Sequence, residues 1–312
     1  MTAKPASNNI TAVFVGTPDF AVRILDEMLQ RGFRVPLVIT QPDKPVGRGK
    51  IVQESQVAQR ASAAGLPVIK PERIAAAISR IQSAKPDVLV VAAYGQILPK
   101  EVLAIPSKGS VNVHASLLPA YRGAAPVQQA ILDGLDHTGV TIMLMDEGLD
   151  TGPVIATEAV TLDQDETSPS LSAKLAAAGA RLLATCLPQF LDGDITPAPQ
   201  RETGASYTTL ISKADGRIDW AKPADYLIRQ WRAFTPWPGC WSTLGSDQTV
   251  LSLASDPEPQ QLAPGAFSGQ APLRVGTGTT SVLVPTIQPS GKNPMSGEDW
   301  LRGYRGTDRV FV

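Results

Sequence analysis

Two stretches of this chain, 87–91 and 139–145, are almost unbroken runs of apolar residues. Runs of this length suit parallel strands that have no wet face, because helices cover both sides of the sheet. A similar short run opens the chain at 11–15, and another follows at 35–40. Between those two, Phe20, Ile24, Leu25, Met28 and Leu29 recur at helical spacing. Thr17 is placed to cap that helix, Pro18 suits its first turn, and Gly32 suits its end. Strands alternate with helices to about residue 190, which specifies an α/β fold with a Rossmann-like, mostly parallel sheet.

The pattern then changes. Residues 168–191 read as one helix, and the stretch after it carries prolines at 197 and 199. Beyond 206, short β-like runs at 249–253, 273–276 and 281–284 are separated by Gly, Pro and Asp, which predicts a small all-β domain. The expected division is a catalytic domain over 1–192, a linker over 193–205 and a second domain over 206–312. A composition of 43% hydrophobic and 18% charged residues excludes global disorder. The first ten residues are polar, and no apolar run approaches the roughly 18 residues that span a bilayer, so a soluble, cytoplasmic protein without membrane contact is expected. Two cysteines and two histidines without paired spacing make a metal site unexpected. The net charge of -1 means that any nucleic-acid contact must come from a local patch. The full glycine fingerprint of a dinucleotide site is absent after the first strand, which disfavours a redox dehydrogenase.

Chemistry concentrates in Ser110-Val-Asn-Val-His-Ala-Ser-Leu-Leu-Pro119. On a strand, Val111 and Val113 face one way while Asn112 and His114 share the other face. The strand breaks at Ser116 and Pro119, and ligands of open α/β sheets bind outside the carboxyl ends of strands. Taken alone, His114 fits a satisfied structural residue as well as a catalytic one. A second loop, Met145-Asp-Glu-Gly-Leu-Asp-Thr-Gly152, holds three carboxylates, Asp146, Glu147 and Asp150. By composition it is an ordinary acidic turn whose glycines let the chain approach a ligand closely.

Together these segments resemble the formyltransferases that use 10-formyltetrahydrofolate. The resemblance implies that Asn112, His114 and Asp150 are catalytic and that Ser116, Leu117, Leu118 and Pro119 form a folate-binding loop. It also implies that Tyr94, Gly95, Gln96, Ile97 and Leu98 wall the pterin pocket. Asn112 and His114 would donate to the oxyanion, and Asp150 would accept a proton or orient His114. The segments 16–21, 41–50, 122–126, 138–143, 148–152 and 232–238 look like the branch of this family that formylates initiator methionyl-tRNA. That branch implies a monomer with an OB-like, tRNA-contacting barrel at the C-terminus. It further implies that Lys44, Arg48 and Lys50, in a glycine- and proline-rich loop, contact tRNA together with Arg122. A UDP-amino-sugar formyltransferase with the same donor is the alternative. Two departures stand out: Ala120 occupies a position that is often basic, and residues 206–312 carry ten basic and nine acidic side chains where a basic surface is expected. Lys213, Arg217, Lys222, Arg229 and Arg232 are the candidates for that surface, and Trp231, Trp237 and Trp241 are expected to pack rather than stack on bases.

Overall fold

The computed structural model describes residues 10–46 and 51–312. The chain divides into two compact units. The first comprises Met1–Pro126, His137–Thr161 and Leu171–Thr209; the second comprises Val127–Asp136, Leu162–Ser170 and Leu210–Val312.

The elements run β1 (Thr11–Gly16), α1 (Asp19–Gln30), β2 (Arg34–Ile39), the hairpin strands β3 (Lys44–Val46) and β4 (Ile51–Gln53), α2 (Gln56–Ala63) and β5 (Val68–Ile69). They continue with α3 (Ile78–Ala84), β6 (Val88–Ala92), α4 (Lys100–Leu103), β7 (Ser110–His114), β8 (Arg122–Gly123), α5 (Pro126–Leu132), β9 (His137–Leu144), β10 (Val154–Thr161), α6 (Ser168–Asp192) and β11 (Tyr207–Thr208). The first unit is built on a seven-stranded sheet in the order β10-β9-β7-β6-β1-β2-β5. The five strands from β7 to β5 are mutually parallel, as the apolar runs predict. Val13, Val15, Leu37, Ile39, Leu89 and Val91 pack one face, with Ile74, Ile81 and Leu98 over them. The alternate residues Ala12, Phe14, Val38, Val88 and Val90 are equally buried, so the other face is covered too. That double burial explains why these strands carry no polar alternation.

Two local expectations need correction. The run at 139–145 forms β9, which is antiparallel to both β7 and β10. It is apolar because it lies inside the sheet, and burial, not strand direction, sets its composition. Thr17 does not cap α1; the cap is Pro18, and the Thr17 hydroxyl instead donates to the Tyr94 carbonyl at 3.1 Å. This bond ties the carboxyl ends of β1 and β6 together where the chain, having built outward through β2 and β5, crosses to the other side of β1. Such a switch point leaves a crevice at the strand ends.

The second unit carries α7 (Ala224–Phe234), β12 (Cys240–Leu244), β13 (Asp247–Leu251), β14 (Arg274–Gly276), β15 (Ser281–Leu283), β16 (Thr286–Pro289), β17 (Met295–Ser296) and α8 (Gly297–Gly303). Its sheet is antiparallel, β12-β13-β16-β17, beside the β14-β15 hairpin. The expected all-β composition is thus corrected. Leu227, Gln230, Ala233 and Phe234 are buried at helical spacing on α7, and helical periodicity prevails over the β preference of its aromatic residues. Trp220, Leu227, Leu253, Phe267, Val275, Ile287, Trp300 and Phe311 form this unit's core. Both cysteine thiols, Cys186 and Cys240, are pushed up to about 12 by burial, which makes them unreactive.

Candidate active site

β7 delivers Asn112 and His114 to one face at the carboxyl end of the parallel strands. Its register with β6 pairs Val91 with Asn112, and its register with β9 pairs His114 with Thr141. The 145–152 loop then folds back over that face. Its three carboxylates separate by role. Asp146 accepts from Gly148 N at 3.0 Å and from the Thr151 hydroxyl at 2.8 Å, closing the turn. Glu147 pairs with exposed Lys100. Asp150 alone turns inward. Its Oδ1 accepts from Asn112 Nδ2 at 3.3 Å, its Oδ2 accepts from Gly123 N at 2.8 Å, and Oδ2 lies 3.7 Å from His114 Nδ1. The side chains of His114 and Asp150 are 6% and 14% exposed, so their mutual field is little screened by water.

Asp150 is left-handed, with φ 53, a conformation that costs a non-glycine residue about 1–3 kcal/mol and is held by its surroundings. Gly123 explains part of the hold. Its φ is 103 and a Cβ there would lie 2.3 Å from the Thr208 carbonyl oxygen, so only glycine can bring this N–H to the carboxylate. His114 is fixed from its far side, where Nε2 lies 2.9 Å from the Tyr121 carbonyl oxygen. A carbonyl only accepts, so Nε2 is the donor in this bond, and Nδ1 is the nitrogen that faces Asp150.

Hydrogen bonds tie the 116–119 loop to its neighbours. The Ser116 hydroxyl donates to Ala120 O at 2.6 Å, and the Thr141 hydroxyl donates to Ser116 O at 2.7 Å while accepting from Leu118 N at 3.1 Å. Ser116 and Leu118 are buried, and Leu117 and Pro119 are half-buried. The 94–98 stretch divides by residue. The side chains of Tyr94 and Leu98 point into the core, and Gln96 is pinned to Ile74 N and Glu72 O, both at 3.0 Å. Gly95 and Ile97 are the exposed members, Ile97 at 87%. Tyr94 presents its backbone to the crevice region, where its carbonyl also accepts from Gln41 Nε2 at 3.0 Å.

Arg122 requires a correction. It is 1% exposed, and its guanidinium donates to Gln200 Oε1 from Nε and Nη2, to the Tyr207 hydroxyl and to Glu202. Its donors are committed to protein acceptors, so it offers no face to a phosphate. Lys44 is exposed at the start of β3, whereas Arg48 and Lys50 lie outside the described residues. In the second unit, Lys213, Arg217 and Lys222 are exposed, while Arg229 is turned onto Asp225 and the Leu132 carbonyl and Arg232 onto the Gln164 carbonyl. Trp231 packs on the core and Trp241 bonds Lys213 O, but Trp237 is 59% exposed, contrary to expectation.

Gln200, Ser206 and Thr208 escape a reading of the sequence. They lie in and beyond a proline-rich stretch that looks like a connector, yet they are bonded into the first unit. Ser206 binds the backbone on both sides of His114's partner: its Oγ accepts from Tyr121 N at 2.8 Å and its carbonyl accepts from Arg122 N at 2.8 Å. The short parallel pairing of β8 with β11 continues this contact. No local signal marks these residues, because their partners lie far earlier in the chain.

Asn112, His114 and Asp150 thus gather at the carboxyl edge of a largely parallel sheet. Residues 8–187 match the formyl transferase family and residues 210–305 match the formyl transferase C-terminal domain. A methionyl-tRNA formyltransferase of Myxococcus xanthus is 44% identical over 297 residues, covering 94% of this chain and 95% of that protein. The chain belongs to the methionyl-tRNA formyltransferase family. At the level of fold alone, HypX from Aquifex aeolicus in complex with tetrahydrofolic acid superposes with a TM-score of 0.67 at 16% identity, covering 96% of this chain. The chain spans about half of HypX, 50% of its length. An N-formyltransferase from Helicobacter canadensis in complex with folinic acid and dTDP-3-aminofucose gives a TM-score of 0.66 at 19% identity, covering 88% of this chain and 98% of that one.

Proposed function

We propose that this protein moves the formyl group of 10-formyltetrahydrofolate onto the amino group of methionine carried by initiator tRNA, acting as a cytoplasmic monomer. The neutral amine attacks the formyl carbon and the bond from that carbon to folate N10 breaks. The amine loses one proton and N10 gains one, so the products are formylmethionyl-tRNA and tetrahydrofolate. Asn112 donates to the oxyanion that develops, a contact worth about 10² to 10³ in rate. His114 Nδ1 takes the amine proton, and the Asp150 charge 3.7 Å away stabilises the imidazolium. That imidazolium is the form in which His114 can also donate toward the oxyanion.

The observation that carries this reading is the Asn112–Asp150–His114 cluster, in a chain 44% identical to a methionyl-tRNA formyltransferase over 94% of its length. The folate would lie against the 116–119 loop and the open side of 94–98. Lys44, with Arg48 and Lys50, would contact the tRNA. The division into a catalytic domain over 1–192, a connector over 193–205 and an OB-like, tRNA-contacting domain over 206–312 belongs to the same proposal. Its support in the last part is the antiparallel sheet and the exposed Lys213, Arg217 and Lys222.

The test is formylation of methionyl-tRNA by purified protein with 10-formyltetrahydrofolate, run beside uncharged tRNA and a UDP-amino sugar. Turnover with methionyl-tRNA alone is expected. Turnover with the sugar nucleotide alone would replace the acceptor, and turnover with neither would end the reading.

A further inference from the structure

Gln200 joins the 150–152 turn to the buried Arg122. Its Nε2 donates to the Asp150 carbonyl and to the Gly152 carbonyl, both at 2.8 Å. Its Oε1 accepts from Arg122 Nε at 3.1 Å and from Nη2 at 3.0 Å. Both amide hydrogens and the amide oxygen are therefore used within the protein, and the amide cannot turn over. A guanidinium only donates, so the oxygen must face Arg122 and the nitrogen must face the two carbonyls. Arg122 is itself buried and held by the Tyr207 hydroxyl at 2.9 Å. Two residues before Gln200, Ala198 exchanges two backbone bonds with Val154, each 2.8 Å, which fixes the approach of the segment. On the other side of the turn, a Cβ at Gly152 would meet the Leu144 carbonyl oxygen at 1.9 Å, so the loop is packed against β9 there.

We infer that Gln200 is a positioning residue: it locks the 150–152 turn in the left-handed backbone that sets the Asp150 carboxylate on Asn112 and His114. It touches no reacting group and acts through the backbone of Asp150. The residue lies outside both segments that match the formyl transferase family, 8–187 and 210–305, and supplies the site from the stretch between them.

This inference rests on the formyl-transfer reading, and the two fail differently. Wild-type protein that does not formylate methionyl-tRNA overturns the reading itself, whereas Gln200 is judged on variants of an active enzyme. Gln200→Glu keeps the size and the pairing with Arg122 but sets an oxygen against two carbonyl oxygens. Gln200→Ala removes both contacts, and serves if the first variant folds poorly. Each variant is assayed below its melting temperature, with the folded fraction taken from circular dichroism. A misplacement of about 1 Å predicts a loss of about 10- to 100-fold in kcat, while KM for 10-formyltetrahydrofolate stays within about twofold. The pH profile of kcat is also expected to shift, because the Asp150–His114 pairing is altered. A lowered melting temperature with unchanged kcat and pH profile would make Gln200 merely structural and overturn the inference. A raised KM at unchanged kcat would overturn it as well.

Discussion

Replacing Asp150 by Asn keeps its size but removes one charge and one acceptor. The charge lies 3.7 Å from His114 Nδ1, and both side chains are largely buried. At an effective dielectric of about 20, an ion pair at that distance is worth about 4 kcal/mol, which is about 10³ in rate if the imidazolium forms in the transition state. The lost acceptor adds to this. The Gly123 N–H is backbone and cannot move, so the single oxygen of the substituted carboxamide stays with it, and its NH2 group meets the Asn112 amide donor to donor. Asn112 then has to turn over, which moves the oxyanion donor. Single-turnover formylation of methionyl-tRNA, with thermal unfolding as the control, should show a fall of about 10³-fold in an intact fold. Adding His114→Ala to Asp150→Asn should cost little more than the worse single change, because the two act as a unit. A loss under about tenfold in Asp150→Asn, with the fold intact, would refute the pairing as the source of catalysis.

Other changes probe the surrounding frame. Gly123→Ala should destabilise by about 3 kcal/mol or more, read by denaturant unfolding, because of its positive φ and the clash with Thr208 O. Arg122→Lys should lose about 2–4 kcal/mol of stability and leave the salt dependence of KM for tRNA unchanged, whereas Lys44→Ala should flatten that dependence. Tyr94→Phe removes a buried hydroxyl with no partner among the described residues, so it should be neutral or stabilising by about 1 kcal/mol, with no change in KM for folate. The Tyr94 phenol is pushed up to about 12 by burial. Its neutral form is favoured in the folded state, so this contribution is complete below about pH 10 and is lost as pH rises from 10 to 12; Tyr94→Phe should remove that alkaline loss.

Asn112 and His114 were readable because strand alternation sets their shared face and the following Ser116 and Pro119 mark the strand end. By composition the loop holding Asp150 was readable only as an acidic turn; the family resemblance singled out Asp150, for nothing local separates Asp146 and Glu147 from it. The separation comes from Gly123 N, Asn112 and Gln200, which are brought there by tertiary folding. Arg122 looks like a surface cation in sequence, and only partners from 200–207 bury it. In the same way, the apolar composition of β9 reveals its burial but not its direction, since a strand inside a sheet is desolvated whichever way it runs.

The return of residues 193–209 onto the first unit bears on how such chains can be recombined. A crossover at the end of α6 would separate Gln200, Ser206 and Thr208 from the carboxylate and backbone they support, although that point looks like a natural joint. A functional chimera should exchange its C-terminal part after Thr209, or bring a strap that already fits the 145–152 loop. Acceptor specificity, if altered by swapping the C-terminal unit, is therefore inherited freely only on one side of that seam. A segment that resembles a tether travels with the chemistry.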